Sequence, residues 1–416
     1  TRMKESGIDW IGQIPEEWRV RPIKHIVETP VTDGPHETPV LYETGIPFLS
    51  AEAVKDGVLD FNYKRGYISL KDHDRFKKKI SPKKDDIFIV KSGATTGNVG
   101  IVNTDEIFDI WSPLALIRCN KTLAIQKYIY FYLLSTLFKS QVEFNWSFGT
   151  QQNIGMGVIE RIKVILPPLS EQQQIVEVLD KKTAQLDKVK ALLEEQIQKL
   201  KDYRTSLIYE TVTKGLDKTV PMKDSGIDWI GQVPEGWGVS RLKYYFDIYA
   251  GGDIDERNTV EEYSESHPYP VLSNSLENEG VLGYTNKYRF KKNCVTVTGR
   301  GDVGKAVYRN IKFYPVVRLL VCVPKSQVDC RFVTYWINSA IIEKNQTAVS
   351  QLTIQMLGEL IFVNVPFLEQ KNIADFLDKK TNQIDKLIQI KNQQIDNINK
   401  QRQTLIYDYV TGKKRA

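Results

Sequence analysis

A seven-residue repeat of apolar positions dominates residues 171–213. Glutamate, lysine and glutamine, which favour helices, fill most of the polar positions, and neither Gly nor Pro interrupts the stretch. An apolar repeat of this period, held over many turns, is typical of a coiled-coil helix. The predicted seam consists of Leu179, Leu186, Leu193, Leu200 and Leu207, and an adjacent row is expected from Ile175, Val189 and Tyr203.

The same stretch returns near the end of the chain, at residues 369–411. LDKKT at 179–183 recurs at 377–381, and SLIYETVT at 206–213 recurs as TLIYDYVT at 404–411. Because a single helix cannot bury such a stripe, we expect the two helices to pair with each other. The alternatives are packing of each helix on its own globular domain, or a homo-oligomer. The second seam consists of Leu377, Ile384, Ile398 and Leu405, with Lys391 at the position of Leu193.

The beginning of the chain is duplicated as well. MKESGIDWIGQIPEEW at 3–18 returns as MKDSGIDWIGQVPEGW at 222–237, so the whole chain is a tandem duplication with an approximate two-fold axis. Because exposed tryptophan is costly, we expect each of these Trp/Pro segments to pack on a helix as a clasp. A partner-binding surface is the alternative. Since the second clasp follows the first helix, the first clasp should lie beside the end of the second helix.

Two globular stretches, 19–166 and 238–365, lie between the clasps and the helices and are far less alike than this frame. Short runs rich in β-branched and aromatic residues predict strands, and Gly, Pro and Asn mark the turns. Each stretch is therefore interpreted as an α+β domain on a twisted, mostly antiparallel sheet. Strands are predicted at 87–90, 115–119, 295–298 and 316–323, and helices at 128–136 and 332–340.

Composition adds few constraints. The chain has 416 residues, enough for two or more domains, and its hydrophobic fraction of 41% is ordinary for a soluble protein. No apolar run is long enough to span a membrane, and the four cysteines lack metal-ligand spacing, so a cytoplasmic protein with reduced thiols is expected. The net charge of +6 is compatible with a polyanionic partner but does not require one.

Three polar features recur in both globular stretches: a basic turn, a Gly-rich loop after a strand, and a polar stretch before the closing strand. Basic and amide side chains beside glycine suit contact with phosphates and base edges. Ordinary solvated turns are the alternative for each feature. The pairs are the turns 75–79 and 289–292, the loops 91–100 and 298–305, and the polar stretches 148–155 and 350–355.

No catalytic motif is found. GRGDVGKA at 299–306 fits a phosphate-binding P-loop up to Ala306, which replaces the Ser or Thr that would hold magnesium. A P-loop also opens a helix, whereas the following residues predict a strand. No His/Cys cluster suits a metal, and no His lies in a nucleophile arrangement. The chain is therefore interpreted as non-catalytic and metal-free.

The arrangement resembles the specificity subunit of type I restriction–modification systems over nearly the whole chain. The resemblance is carried by PPLSEQQQI at 167–175 leading into LDKKT, by the repeated GIDWIGQ phrase, and by DGPHETP at 33–39, KSGATTGNVG at 91–100 and FGTQQNI at 148–154. The second globular stretch lacks DGPHETP, and its Gly-rich loop is shorter.

The resemblance implies an α+β fold in which two β-rich target-recognition domains are joined and spaced by two long antiparallel coiled-coil helices. The implied domain bounds are 1–168 and 216–366 for recognition and 169–215 and 367–416 for the helices. Each domain would read one half of a split, asymmetric site in double-stranded DNA. Two modification subunits would dock on the helices and bring S-adenosylmethionine, and two motor-nuclease subunits would bring ATP and Mg, so this chain itself would hold no cofactor.

Residues of the three recurring features are the candidates for DNA contact. The lysines are expected to neutralise phosphates, whereas Arg300, Gln151 and Gln152 are the better base readers, since Arg suits guanine and Gln suits adenine. The first domain contributes Lys77, Lys78, Lys91, Ser92, Thr95, Thr96, Asn98, Gln151 and Gln152, and the second contributes Lys291, Lys292, Arg300, Asp302 and Lys305. The alternative function is a coiled-coil scaffold whose two β-rich domains bind proteins rather than DNA.

Overall fold

The computed structural model describes residues 2–8, 11–145, 153–344 and 351–416. The chain separates into two compact units. The first contains residues 1–193 and 393–416, and the second contains residues 194–392. Each unit therefore combines one globular domain with half of each long helix. No helix in the described ranges has the length and apolarity needed to cross a membrane.

The two long helices are α5, Leu169–Lys214, and α8, Phe367–Val410. The first turn of α5 forms on Pro168, whose carbonyl accepts from the amides of Glu171 and Gln172. Gly215, at a φ of +71°, ends the same helix with the left-handed conformation that favours glycine at this position. The heptad prediction of two long helices is confirmed.

Within each unit the two helices run antiparallel to each other. In the first unit Leu179 shares an apolar core with Ile406 and Val410, while Asp187 lies 3.3 Å from Arg402. In the second unit the Lys391 ammonium donates to Gln196, and Arg204 lies 3.2 Å from Asp385. The predicted intramolecular pairing of the helices is therefore confirmed.

The side chains of the predicted seam lie inward to different extents. Leu179, Leu377 and Ile384 are buried, and the other members, Lys391 included, are half-buried. The expected adjacent row is wrong at Val189 and Tyr203, which are 47% and 55% exposed. The inward-facing row beside the leucine seam of α5 instead contains the residues four positions after each seam leucine. Most of these residues are polar, so a search for apolar positions does not find them. This companion row consists of Thr183, Lys190, Ile197, Arg204 and Thr211.

Both clasps pack on helix ends, as predicted. Trp18 is fully buried and donates its indole N–H to Glu171 on α5 at 2.9 Å. Trp237 is 2% exposed and donates in the same way to Glu369 on α8 at 3.0 Å. A Cβ built on Gly412, just beyond α8, would meet Pro15 at 2.6 Å, so the first clasp does lie beside the end of the second helix. Trp10 lies outside the described residues.

The first globular domain is built on mostly antiparallel strands. Its larger sheet has the order β4-β12-β9-β10-β7-β6, and a smaller one has the order β11-β5-β8. The elements of the first unit before α5 are β1 Met3–Glu5, β2 Gln13–Pro15, β3 Arg19–Pro22, β4 Thr32–Asp33, β5 Ile46–Leu49, β6 Val54–Lys55, β7 Val58–Leu59, β8 Gly66–Ile68, α1 Leu70–Phe76, β9 Ile87–Val90, β10 Val99–Ile101, β11 Asp109–Ile110, β12 Leu114–Ile117, α2 Gln126–Leu134, α3 Thr136–Phe144, α4 Met156–Arg161 and β13 Lys163–Leu166.

The second globular domain repeats this plan with sheets β17-β24-β21-β22 and β18-β20-β19-β23. The strand predicted at 316–323 begins only at Leu320, because Val317 and Arg318 adopt positive φ and form a turn. The elements between α5 and α8 are β14 Met222–Asp224, β15 Gln232–Pro234, β16 Gly238–Arg241, β17 Phe246–Ala250, β18 Thr259–Val260, β19 Tyr269–Leu272, β20 Val281–Thr285, β21 Cys294–Val297, β22 Ala306–Arg309, β23 Tyr314–Pro315, β24 Leu320–Pro324, α6 Cys330–Lys344, α7 Ile354–Gly358 and β25 Ile361–Asn364.

Candidate nucleic-acid interface

The Gly-rich loop of the first domain follows β9 and is held on two sides. The Lys91 amide donates to the Pro113 carbonyl at 2.7 Å, and the Lys91 carbonyl accepts from the Ile154 amide at 2.8 Å. Ser92 forms a β-bridge with Asn153, which joins the loop to the end of the FGTQQN stretch. Two of the three recurring polar features therefore meet here. The predicted base readers Gln151 and Gln152, which precede Asn153, lie outside the described residues.

The side chains of this loop divide into exposed and inward groups. Thr95 and Asn98 are exposed, and Ser92 is half-buried. Thr96 is buried and donates its hydroxyl to the Gly93 carbonyl at 2.7 Å, so it shapes the loop. Among these four candidates, Thr95 and Asn98 are the ones presented to solvent for contact with a ligand.

A buried carboxylate joins the basic turn to the Gly-rich loop. Asp33 accepts from the Lys91 ammonium at 2.5 Å and from the Lys79 ammonium at 2.7 Å, and His36 lies 3.1 Å away. Burial of Asp33 opposes its ionisation, but the hydrogen bonds from the two lysines outweigh burial and lower its pKa. Lys91 is thus engaged inside the protein, where its charge fixes the loop.

The neighbouring glycine explains part of the DGPHETP motif. A Cβ on Gly34 would lie 2.3 Å from the Ile110 carbonyl oxygen, closer than any side chain tolerates. Glycine therefore allows the segment after Asp33 to pass against β11. The motif positions Asp33 under the two lysines, a role that its sequence alone did not reveal.

Lys77 and Lys78, which follow helix α1, are exposed, as are Arg75 and Lys79 of the same basic turn. Arg75 pairs with Glu37 and Asp72, and Lys79 pairs with Asp33. The Lys77 ammonium lies 2.5 Å from Asp74, whereas Lys78 forms no ion pair with any described residue. Long exposed lysine side chains of this kind can reach phosphates without a fixed geometry. Lys78 is accordingly the better candidate of the two for a phosphate contact.

A second buried carboxylate lies behind the same turn. His73 Nδ1 lies 2.6 Å from Asp109, which is fully buried, and burial raises the pKa of Asp109 despite the opposing effect of His73. The Arg65 guanidinium lies 4.5 Å from the ring of Trp111, two residues further along. Sequence reasoning missed these residues, because a single Asp in the run FDIW and a single His on a short helix carry no recognisable spacing.

In the second domain the Gly-rich loop closes a hairpin between β21 and β22. The Gly304 amide donates to the Thr298 carbonyl at 2.7 Å, and the Leu352 amide donates to the Gly299 carbonyl at 2.9 Å. The strand Ala306–Arg309 follows directly, which confirms that this is not a P-loop opening a helix. Leu352 belongs to the predicted polar stretch 350–355, so loop and stretch again lie together.

The loop presents most of its chemistry to solvent. Arg300 and Asp302 are exposed, and Lys305 is half-buried. A Cβ added to Gly251 would lie 2.9 Å from the Pro315 carbonyl oxygen at the end of β23, as a Cβ added to Gly34 would meet the end of β11. Gly251 therefore corresponds to Gly34, and Ala250, which precedes it, corresponds to Asp33. Alanine stands where the first domain has Asp33, and neither Arg300 nor Lys305 forms an ion pair with any residue that the structure describes. The two domains therefore differ in the charge of their loops.

The basic turn of the second domain is arranged differently from its counterpart. Lys291 and Lys292 are exposed and precede β21, whereas the Gly-rich loop follows it, so the four residues of the strand separate them. Arg289 instead reaches toward the loop end of the sheet and donates to the Ala250 carbonyl at 3.2 Å. The structure thus does not bring these two lysines to the Gly-rich loop.

No group of three or more His, Cys, Asp or Glu side chains in the described ranges is placed to hold a metal ion. Burial raises the pKa of the Cys294 thiol to about 11 and that of Cys330 to about 12. These thiols are therefore protonated near neutral pH and are poor nucleophiles.

Comparison with known proteins agrees with this geometry. The family model for the type I restriction modification DNA specificity domain matches residues 15–201 and 234–400. The "Putative type I restriction enzyme MjaX specificity subunit" of Methanocaldococcus jannaschii is 27% identical, over 98% of this chain and 96% of the relative. The "Type I restriction enzyme MjaVIII specificity subunit" of the same organism is 23% identical, over 97% and 94%.

A similar fold occurs among solved structures. A chain described under "Structural basis underlying complex assembly and conformational transition of the type I R-M system" superposes with a TM-score of 0.73 at 15% identity, over 95% of this chain and 98% of that one. Two matches to one family model, on a frame that is duplicated in both sequence and structure, establish the relationship. The chain belongs to the type I restriction modification DNA specificity domain family.

Proposed function

We propose that the chain is the DNA-recognition subunit of a type I restriction–modification complex and reads a bipartite, asymmetric site in double-stranded DNA. The observation that supports it most is the duplicated recognition domain, in which each copy sets a Gly-rich loop against a polar stretch. Backbone beside glycine can approach phosphates closely, and neighbouring side chains can reach base edges in the major groove.

The two half-sites should differ in sequence. The first domain pairs Lys91 and Lys79 with buried Asp33, whereas the second domain has Ala250 in that place and exposes Arg300. Different side chains at equivalent positions present different hydrogen-bond donors to the DNA.

Two modification subunits are the proposed protein partners on the long helices. In the first unit Val189 and Leu192 are 47% and 48% exposed on α5, and in the second unit Leu387 and Ile390 are 47% and 55% exposed on α8. These pairs occupy equivalent positions of the duplicated sequence. An exposed apolar pair that occurs twice supports two copies of one partner with an apolar surface.

The chemistry belongs to the partners in this proposal. Methylation of a base requires flipping it out of the stack into a pocket. We assign S-adenosylmethionine and the base chemistry to the modification subunits, and ATP, Mg and DNA translocation to two motor-nuclease subunits. The chain itself acts without a cofactor, by holding DNA in register.

A map of modified bases tests the proposal. The chain is expressed with its modification subunit in cells that lack methylation, and the DNA is sequenced for methylated positions. The expected result is a split motif of two unlike halves with a fixed unread gap. Exchange of residues 238–365 for those of another specificity chain should then alter one half only. Absence of new methylation, with the partner active on another specificity chain, would favour a coiled-coil scaffold that binds proteins.

A further inference from the structure

A strained turn stands at the start of β24. Val317 and Arg318 both adopt the left-handed conformation, with φ of +55° and +59°. A β-branched residue such as valine rarely occupies this region, and two consecutive non-glycine residues in the left-handed conformation store backbone strain. Val317 is 49% exposed and Arg318 is exposed as well, so packing of their side chains does not account for the conformation.

The hydrogen bonds of Asn274 tie this turn to the Gly-rich loop. The Asn274 side-chain amide donates to the Val317 carbonyl at 2.6 Å, while its carbonyl oxygen accepts from the Gly299 amide at 2.7 Å. The Val317 amide donates to the Gly252 carbonyl at 2.9 Å. Two segments of the domain therefore hydrogen-bond to the turn directly, and Asn274 links the turn to the Gly-rich loop.

The turn brings a second arginine next to Arg300. A Cβ on Gly299 would lie 3.1 Å from the Arg318 carbonyl oxygen, so the Gly-rich loop passes directly against the turn. Neither Arg300 nor Arg318 forms an ion pair with any residue in the described ranges. The guanidinium groups of Arg300, on the Gly-rich loop, and of Arg318, on the neighbouring turn, are therefore available to a ligand. A planar guanidinium suits a ligand that presents two hydrogen-bond acceptors in one plane.

We propose that Arg318 is a specificity-determining residue that contacts a guanine in the half-site of the second domain, beside the position read by Arg300. The inference rests on the proposed DNA-recognition function. Arginine donates two parallel hydrogen bonds to the O6 and N7 acceptors of guanine, which is the commonest specific contact in the major groove. A backbone held in one conformation reduces the entropy lost when the side chain docks, and this offers a reason for a strained turn at the surface.

The test measures binding of the complex to its own site and to variants with each base pair of the half-site replaced in turn. Arg318→Ala should weaken binding to the correct site by about 5- to 150-fold and abolish discrimination at one G·C pair only. Arg318→Lys keeps the charge but loses the planar pair of donors, so it should also lose discrimination at that pair. Asn274→Ala releases both the turn and the Gly299 amide beside Arg300, so it should reduce discrimination at this pair and at the pair read by Arg300.

Lys325→Ala is the matched control. Lys325 is an exposed cation just beyond the opposite end of β24, where its ammonium lies 3.3 Å from Asp247. Its loss should leave discrimination unchanged. Circular dichroism and the melting temperature of each variant establish that the fold is retained.

The outcomes are distinct. Equal weakening on all sequences by Arg318→Ala would show a phosphate contact and overturn the proposal, and so would unchanged binding. If the unmutated complex binds no DNA sequence preferentially, the proposed function fails, and the role of Arg318 fails with it. Loss at a single G·C pair with the rest of the motif intact would support the proposal.

Discussion

Trp18 donates its buried indole N–H to Glu171 across 153 positions of sequence, and Trp237 repeats the contact with Glu369 in the other unit. Each pair joins the clasp of one repeat to the first turn of the long helix of the same repeat. The carboxylate of Glu171 also lies 2.5 Å from Arg415, beyond the end of α8. The glutamate of the PPLSEQQQI motif therefore holds the frame together and does not contact DNA in this assignment.

We expect Trp18→Phe to lower the free energy of unfolding of the first unit by about 1–3 kcal/mol, because the oxygen of a buried carboxylate that faces Trp18 loses its donor while Arg415 still pairs with the other oxygen. Trp237→Phe should have an effect of similar size in the second unit. Thermal melting of each variant measures this. Leu123→Ala, at a 48% exposed position of the first domain, is the control and should melt as the unmutated chain does. Equal melting temperatures for Trp18→Phe and the control would contradict the contact.

The adjacent leucines of α5 are expected to separate helix pairing from partner docking. Leu193 is half-buried, whereas Leu192 is 48% exposed. Leu193→Asp should destabilise the chain by about 1–3 kcal/mol, since a charge enters the helix interface. Leu192→Asp should leave the melting temperature unchanged and reduce binding of the modification subunit.

Melting curves and size-exclusion chromatography of the complex measure the two effects. An intact complex and an unchanged melting temperature for Leu193→Asp would refute its assignment to the seam. Full binding of the modification subunit to Leu192→Asp would contradict the proposed docking surface.

The two buried aspartates of the first domain are expected to respond to pH in opposite directions. The pKa of Asp33 is lowered from 3.8, so its stabilising contribution is present above that value and is lost as the pH falls below it. The pKa of Asp109 is raised from 3.8 by burial, so its contribution is greatest below 3.8 and is lost as the pH rises through the higher value of the folded state.

Asp33→Asn should therefore lower the melting temperature at pH 7, and this difference should shrink below pH 3.8. Asp109→Asn should raise the melting temperature at pH 7, and this difference should also vanish at low pH. Melting temperatures measured between pH 3 and pH 7 compare each variant with the unmutated chain. Shifts of the same sign at pH 7 would show that burial does not dominate at Asp109.

The frame of the molecule could be predicted from sequence because its signals repeat. Apolar side chains that become buried recur at regular positions in the sequence, and this periodicity predicts the elements that carry them. Examples are the heptad leucines, the duplicated tryptophans and the apolar runs at β9 and α2. The companion row of the seam could not be predicted, because most of its members are polar. Arg204 in this row pairs with Asp385, and Arg402, which follows Ile398 of the second seam by four residues, pairs with Asp187. A search for apolar residues passes over such positions.

The candidate interface was less predictable for a related reason. The charge of Lys91 predicts a phosphate contact, yet its ammonium donates to Asp33, 58 positions away in the sequence. The turn at Val317 and Arg318 interrupts a run of seven apolar residues and one arginine that predicts a continuous strand. Long-range polar contacts and local strain depend on which loops meet, and the local pattern of residues does not encode that.

The two kinds of cation at the candidate interface should affect DNA binding in different ways. Lys78 is exposed on the basic turn, and Arg300 is exposed on the Gly-rich loop of the second domain. Lys78→Ala should weaken binding to all DNA sequences alike and reduce the salt dependence, since one fewer counterion is released. Arg300→Ala should cost about 1–3 kcal/mol at one base position of one half-site. Binding measured over a series of salt concentrations and on single-base variants separates the two. Equal loss on every sequence for Arg300→Ala would place its guanidinium on a phosphate, and a salt dependence unchanged by Lys78→Ala would remove that lysine from the interface.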